Sequence, residues 1–326
     1  MRGRAAGLAA AVVLLLAACS TPLPVPQPDA VPAATQPALT AEQAEDVLAE
    51  VSTTLAEADA ALSADALAPR VTGPAATIRS VEYALATAAG TPEALTTIPS
   101  GAQTLVLPTT DTWPRTVMVV TEAPEDLQAP LLLTLVQSEP RAQFQLWSWV
   151  RLFPGVETPA TAQPEVGSAP VADDAADLAV APADVIAQYV DVLTNGDASP
   201  HAVGFTADPL RAGIVQTRDA FAGLVGANGS LTETYQVDES GVQALRTADG
   251  GAIVVGTVRT VTTITLVDST LTIGDQTAAL LGTTTVASSL AITWLSVVAF
   301  AVPPEGSDEP IVVLGAEHSR IQVTGA

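Results

Sequence analysis

Twice along this chain the spacing of apolar residues changes from a helical period to a strand period, and that switch limits the fold more than any other feature. Thr40-Ala41-Glu42-Gln43 has the form of a capping box, in which the hydroxyl and the amide satisfy free backbone N–H groups. Ala44, Val47, Leu48, Val51, Leu55, Ala58 and Leu62 then fall on one helical stripe, so a helix is expected over 40–66. Gly73-Pro74 opens a second helix, with Pro74 at its first position, Ile78, Val81 and Leu85 facing inward and Gly90 ending it. The period then drops to two. Residues 103–107, 115–122, 131–138 and 142–153 are rich in Val, Leu, Thr and aromatics and are bounded by turn residues, as strands require. Pro154-Gly155 closes the run.

After an acidic Pro/Ala linker at 155–180, which carries Asp173, Asp174 and Asp177, the order repeats. Ala181-Pro182 opens a helix with Val185, Ile186, Tyr189 and Leu193 inward, stopped by Asn195-Gly196. Asp208-Pro209 opens another, with Leu210, Ile214, Phe221 and Leu224 inward. Strands are expected at 231–237, 242–247, 252–267, 269–273, 283–302 and, with an interruption, 311–323, and Asp249-Gly250-Gly251 is a good hairpin turn. Helices first and antiparallel strands after, met twice, give an α+β class: a tandem repeat of helices packed on one face of a curved antiparallel sheet, with domains at 40–154 and 181–326.

That order resembles the cone-shaped α+β fold of the nuclear-transport-factor-two-like superfamily. The motifs that carry the likeness are the helix at 40–66 with Gly73-Pro74 and its helix, matched by the helix at 182–194 with Asp208-Pro209 and its helix. The chain as a whole resembles uncharacterised actinobacterial lipoproteins built of two such halves. The resemblance implies a sheet-lined hollow and no particular activity, because fold does not fix function.

One segment competes with this reading. No charge occurs from Gln276 to Pro304, and Val286 to Val302 is apolar enough for a membrane helix. Against that, the run is rich in β-branched residues. Val286, Leu290, Ile292, Trp294, Val298, Phe300 and Val302 share one parity, and Glu305, Asp308 and Glu309 follow instead of positive residues. A buried strand is the expectation.

The first residues concern address. Arg2 and Arg4 precede an uncharged stretch, Ala5 to Ala18, too short to span a bilayer as a stable helix. Leu16-Ala17-Ala18-Cys19 resembles the bacterial lipobox. The resemblance implies a signal peptide over 1–18, lipidation of Cys19 and at least two acyl chains, because one chain anchors only marginally. Cys19 is the chain's only cysteine, so no disulfide can form within it. Residues 19–39 follow as a Pro-rich tether, reaching up to about 60 Å at ~3 Å per residue.

Composition excludes some partners and motif searches exclude some chemistries. The chain holds 35 acids and 12 bases, every base an arginine. With Arg2 and Arg4 in the signal, the mature chain keeps 10 arginines, and its negative field repels phosphate backbones and anionic headgroups. Nucleic acid is therefore disfavoured. The expected partners are the membrane, through the lipid, and an envelope protein or glycan. No GxSxG elbow, GxGxxG turn, metal motif or Walker lysine is present, so no catalytic, cofactor or metal residue is assigned. His201 and His318 sit in no known motif and read as surface polar residues. Trp147, Trp149 and Arg151 share the nominally polar face of their strand and form the candidate binding surface. The functional expectation is an extracytoplasmic, lipid-anchored protein that binds or scaffolds without catalysis. The alternative is an envelope enzyme acting on a wall or small-molecule substrate from a sheet-lined pocket.

Overall fold

Helix ends in this protein are set by local chemistry. The computed structural model describes residues 35–90, 95–123 and 128–326. Helix α1 (Ala41–Ala61) begins at the capping box: the Gln43 N–H donates to Thr40 Oγ1 at 3.2 Å and the Thr40 N–H to Gln43 Oε1 at 2.9 Å. Helices α2 (Gly73–Ala89), α3 (Pro182–Asn195) and α4 (Pro209–Val225) each carry proline in the first turn, where its missing N–H costs nothing. Asp208 caps α4 by accepting from the Arg211 N–H at 2.9 Å. Helix α5 (Asp275–Leu281), between Gly274 and Gly282, was not expected from the sequence.

The strands are β1 (Ala102–Val106), β2 (Arg115–Thr121), β3 (Leu131–Gln137), β4 (Gln145–Leu152), β5 (Gly229–Val237), β6 (Gln243–Arg246), β7 (Ala252–Leu266), β8 (Leu271–Thr272), β9 (Thr285–Val286), β10 (Ser289–Val302) and β11 (Val312–Gly325). The fold is mixed α+β, with five α-helices and a large antiparallel sheet among the described residues. That sheet runs β1-β2-β3-β4-β11-β10-β7-β5, with β6 pairing β7 beyond the end of β5, while β8 and β9 form a separate pair. The segment 283–302 is thus strand in β9 and β10, and no described helix is long and apolar enough to cross a membrane.

The two sequence segments meet in one sheet. Residues 35–326 form a single unit, and β4 joins β11 through only two residue pairs, Gly315 with Leu152 and Ala316 with Arg151. The sheet bends so far that β2 also reaches β6, where the Thr116 hydroxyl donates to the Gln243 side chain. The expected linker is strapped down as well: Val171 and Leu178 are buried, and Asp177 pairs with Arg246 at 2.5 Å. At the other end Leu39 is buried and the Ala38 N–H donates to the Pro108 carbonyl, so the folded body takes in the last residues of the expected tether. The rest of that tether, the signal and Cys19 lie outside the described residues.

Helices cover both faces of the sheet, not one. Leu48, Val51 and Leu55 of α1 and Ile78 of α2 share a core with Leu295 and Val297 of β10. Val185, Ile186 and Tyr189 of α3 and Ile214 of α4 share another with Val298 and Phe300. Residues of opposite parity on one strand point to opposite faces. So β10 is buried front and back from Leu295 to Phe300, where no charged residue falls.

The β4–β11 junction needs glycine. A Cβ on Gly315 would lie 2.3 Å from the Arg151 carbonyl oxygen and 2.8 Å from the Leu152 Cα, both backbone atoms that cannot swing aside. Gly315→Ala is expected to cost about 2–4 kcal/mol in urea unfolding, since overpacking at a fixed backbone contact is strongly destabilising. A loss within about 0.5 kcal/mol, the range of ordinary surface changes, would show that this ladder can shift freely.

Candidate functional site

Antiparallel pairing places a row of unlike side chains across the face of the sheet that carries α3 and α4. Tyr235 of β5 lies opposite Thr260 of β7, Thr260 opposite Trp294 of β10, and Trp294 opposite Arg320 of β11. The neighbouring row is Val237, Val258, Ser296 and His318. Directly opposite residues share a face, so these groups converge on one patch.

Trp294 is its centre. The His318 ring stacks on it at 4.8 Å between centroids with 9° between planes, and the Arg320 guanidinium carbon sits 4.8 Å from the same ring. The His318 Nδ1 lies 2.8 Å from the Ser296 hydroxyl, which fixes the ring's orientation. Trp294, His318 and Arg320 are half-buried, while Ser296 and Thr260 are buried. Burial, with the nearby Arg320 charge, lowers the His318 pKa from its ordinary 6.5 to about 4. Burial also lowers that of Arg320.

Toward β5 the patch is closed by polar contacts. The Tyr235 hydroxyl donates to Glu233 at 2.7 Å and the Thr262 hydroxyl donates to the other Glu233 oxygen at 2.9 Å. Burial, then the Glu233 hydrogen bond, raises the Tyr235 pKa, and Arg218 of α4 opposes the shift. Arg218 also lines a groove of about 630 Å³ between α3 and α4, together with Val192, Asp208 and Ile214.

Two polar atoms of the row lack partners. Thr260 Oγ1 and Arg320 Nε are buried with no hydrogen-bond acceptor or donor among the described residues. The remaining contact of Arg320 is a long one, Nη1 to Gln276 Oε1 of α5 at 3.5 Å. Ser296 is 0% exposed, and among the described residues the hydrogen bond of His318 is to Ser296.

The candidate surface expected from the sequence is elsewhere and closed. Trp149 is 0% exposed and Trp147 6% exposed. The pairing of β3 with β4 shifts so that Thr134 meets Ser148 while Leu135 meets Leu146, which leaves Trp147 as an extra residue. That bulge breaks the alternation on which a shared face for the two tryptophans depended. Trp147 packs against Gly73, where a Cβ would sit 2.7 Å from the indole, and Gly73 has φ +57. Trp149 lies under α2 with the buried Arg79 guanidinium 5.8 Å from its ring. Arg79 is itself held by Asp59 at 3.1 Å and Glu82 at 2.6 Å. Arg151 donates to the Ala129 carbonyl at 2.9 Å. Of the two histidines, His201 lies in the turn after α3, its N–H donating to Ser199, and only His318 enters a cluster. Among the described residues no group of three or more His, Cys, Asp or Glu is placed to hold a metal.

The sequence did contain a signal for the row: in Glu317-His318-Ser319-Arg320 the second and fourth residues share a face. Their partners Trp294 and Thr260 come from distant segments and depend on register, which no local pattern shows.

The chain is mixed α+β, with helices on both faces of a bent sheet and a half-buried aromatic and cationic patch on one of them. Residues 35–325 match the family described as Domain of unknown function (DUF8094), and the chain belongs to that family. No curated protein and no solved structure matches it.

His318 gives the site a pH signature. Its proton is bound more tightly in the unfolded chain, where the pKa is near 6.5, than in the folded one, where it is about 4. Stability is therefore lost as pH falls from 6.5 toward 4 and the loss levels off below. The expected size is up to about 3 kcal/mol. His318→Asn should remove that part of the slope when wild type and variant are unfolded in urea at each pH. Parallel pH profiles for the two proteins would show that His318 is not held neutral.

Proposed function

We propose that this protein is an extracytoplasmic lipoprotein that binds a ligand or envelope partner on the Trp294 patch and performs no chemistry on it. The binding part rests on one observation above others. A half-buried indole, imidazole and guanidinium sit together, with the buried, unpartnered Thr260 hydroxyl on the same face. The location rests on Leu16-Ala17-Ala18-Cys19 after a short apolar stretch, with a proline-rich run behind it. Cys19 carries the lipid, the membrane is held through it, and the partner is an envelope protein or glycan. In the same reading the order α1-α2-sheet and α3-α4-sheet is an old duplication of a nuclear-transport-factor-two-like half, fused through β4 and β11.

Two experiments test this. Cys19→Ala should shift the protein from the detergent phase to the aqueous phase, or leave the signal uncleaved. A cleaved variant that still partitions with detergent would rule out the lipid anchor. A photo-crosslinking residue at Tyr235 should give a discrete adduct in intact envelopes, and one at Val203, which is 92% exposed, should not. Equal adducts from both positions would argue that the patch is not the binding face.

A further inference from the structure

We propose that the row Thr260-Trp294-Arg320 seats the oxyanion group, carboxylate or phosphate, of a small ligand. This rests on the binding reading above and adds the chemistry of what is bound. The first ground is Arg320. In a chain with 35 acids and 12 arginines, Arg79, Arg211, Arg246 and Arg259 each hold a carboxylate, while the half-buried Arg115 lies over the Trp113 ring and the half-buried Arg151 donates to the Ala129 carbonyl. Arg320 forms no ion pair with any described carboxylate, although its Nε is buried. The carboxylate on this face, Glu233, is already engaged by Tyr235 and Thr262. A guanidinium is always charged and offers a fork matched to carboxylate or phosphate.

The second ground is independent. Thr260 is 2% exposed and its hydroxyl has no partner among the described residues, yet it faces the same patch. Thr260 and Arg320 flank Trp294 from opposite strands, so their backbones stand about 10 Å apart at ~4.8 Å per strand. The guanidinium leans over the Trp294 ring, which narrows that gap from the Arg320 side. An oxyanion above the indole edge would accept from Arg320 and from the Thr260 hydroxyl at once. A cationic ligand would meet Arg320 directly, and a neutral one would leave the guanidinium unmatched.

The test is equilibrium dialysis of the full chain in detergent with radiolabelled phosphate, radiolabelled benzoate and the neutral methyl benzoate. At least one anion should bind saturably at a single site, with a Kd of about 1 mM or tighter. Arg320→Met and Thr260→Val should each weaken it about tenfold, the scale of one lost hydrogen bond to a charged group. Arg320→Lys should restore part of the loss. Phosphate alone or benzoate alone binding decides which oxyanion is taken, and either outcome supports the seat. No saturable binding of either anion would overturn it, as would wild-type binding by an Arg320→Met protein whose circular dichroism is unchanged. Binding of methyl benzoate alone, lost in Trp294→Ala, would keep the binding reading and overturn the oxyanion assignment.

Discussion

β10 is the strand on which the rest of the structure hangs. It pairs with β7 from Ser289 to Val302 and with β11 from Leu290 to Ala301. Leu295, Val297 and Ala299 face one core, and Val298, Phe300 and Val302 the other. From Leu295 to Phe300, where both edges are paired and both faces are covered, the strand has no path to water for a peptide group or a charge. Each fully buried Val, Leu or Phe there contributes about 1.5–3 kcal/mol. The uncharged stretch from Leu290 to Val302 records that burial. Hydropathy reports that water is avoided and not what replaces it, so the same run reads equally as a bilayer span. Parity and β-branching separate the two.

Much of the local structure was legible for a physical reason. Caps and proline first turns are made by residues adjacent in sequence, so α1 through α4 could be placed from Thr40, Pro74, Pro182 and Pro209. α5 was missed because seven residues between two glycines are too few to display a period. The layering was missed because it depends on which strands become neighbours. β4 beside β11, not a free edge, turns two expected domains into one body, and helices then close both faces.

The site was hidden by the same dependence. Trp147 and Trp149 looked like an open aromatic face only while strict alternation was assumed, and the bulge at Trp147 removed it. His318 looked like a surface residue because Glu317, Ser319 and Arg320 around it are polar. In a sheet covered on both sides, polar residues of either parity can be internal: Glu317 lies opposite Val297 toward α2, and His318 lies opposite Ser296 toward Trp294.

That strand therefore carries three ionisable groups into a covered layer, and they meet burial differently. Burial raises the pKa of Glu317, while its hydrogen bond with Ser319 at 2.8 Å opposes the shift. Burial lowers the pKa of His318. Both shifts lean toward the neutral form. Arg320 has no such escape, because a guanidinium stays protonated in any protein environment. The Trp294 ring offsets part of its desolvation through the cation–π contact. What is left on that strand is the fixed charge of Arg320, on a half-buried face.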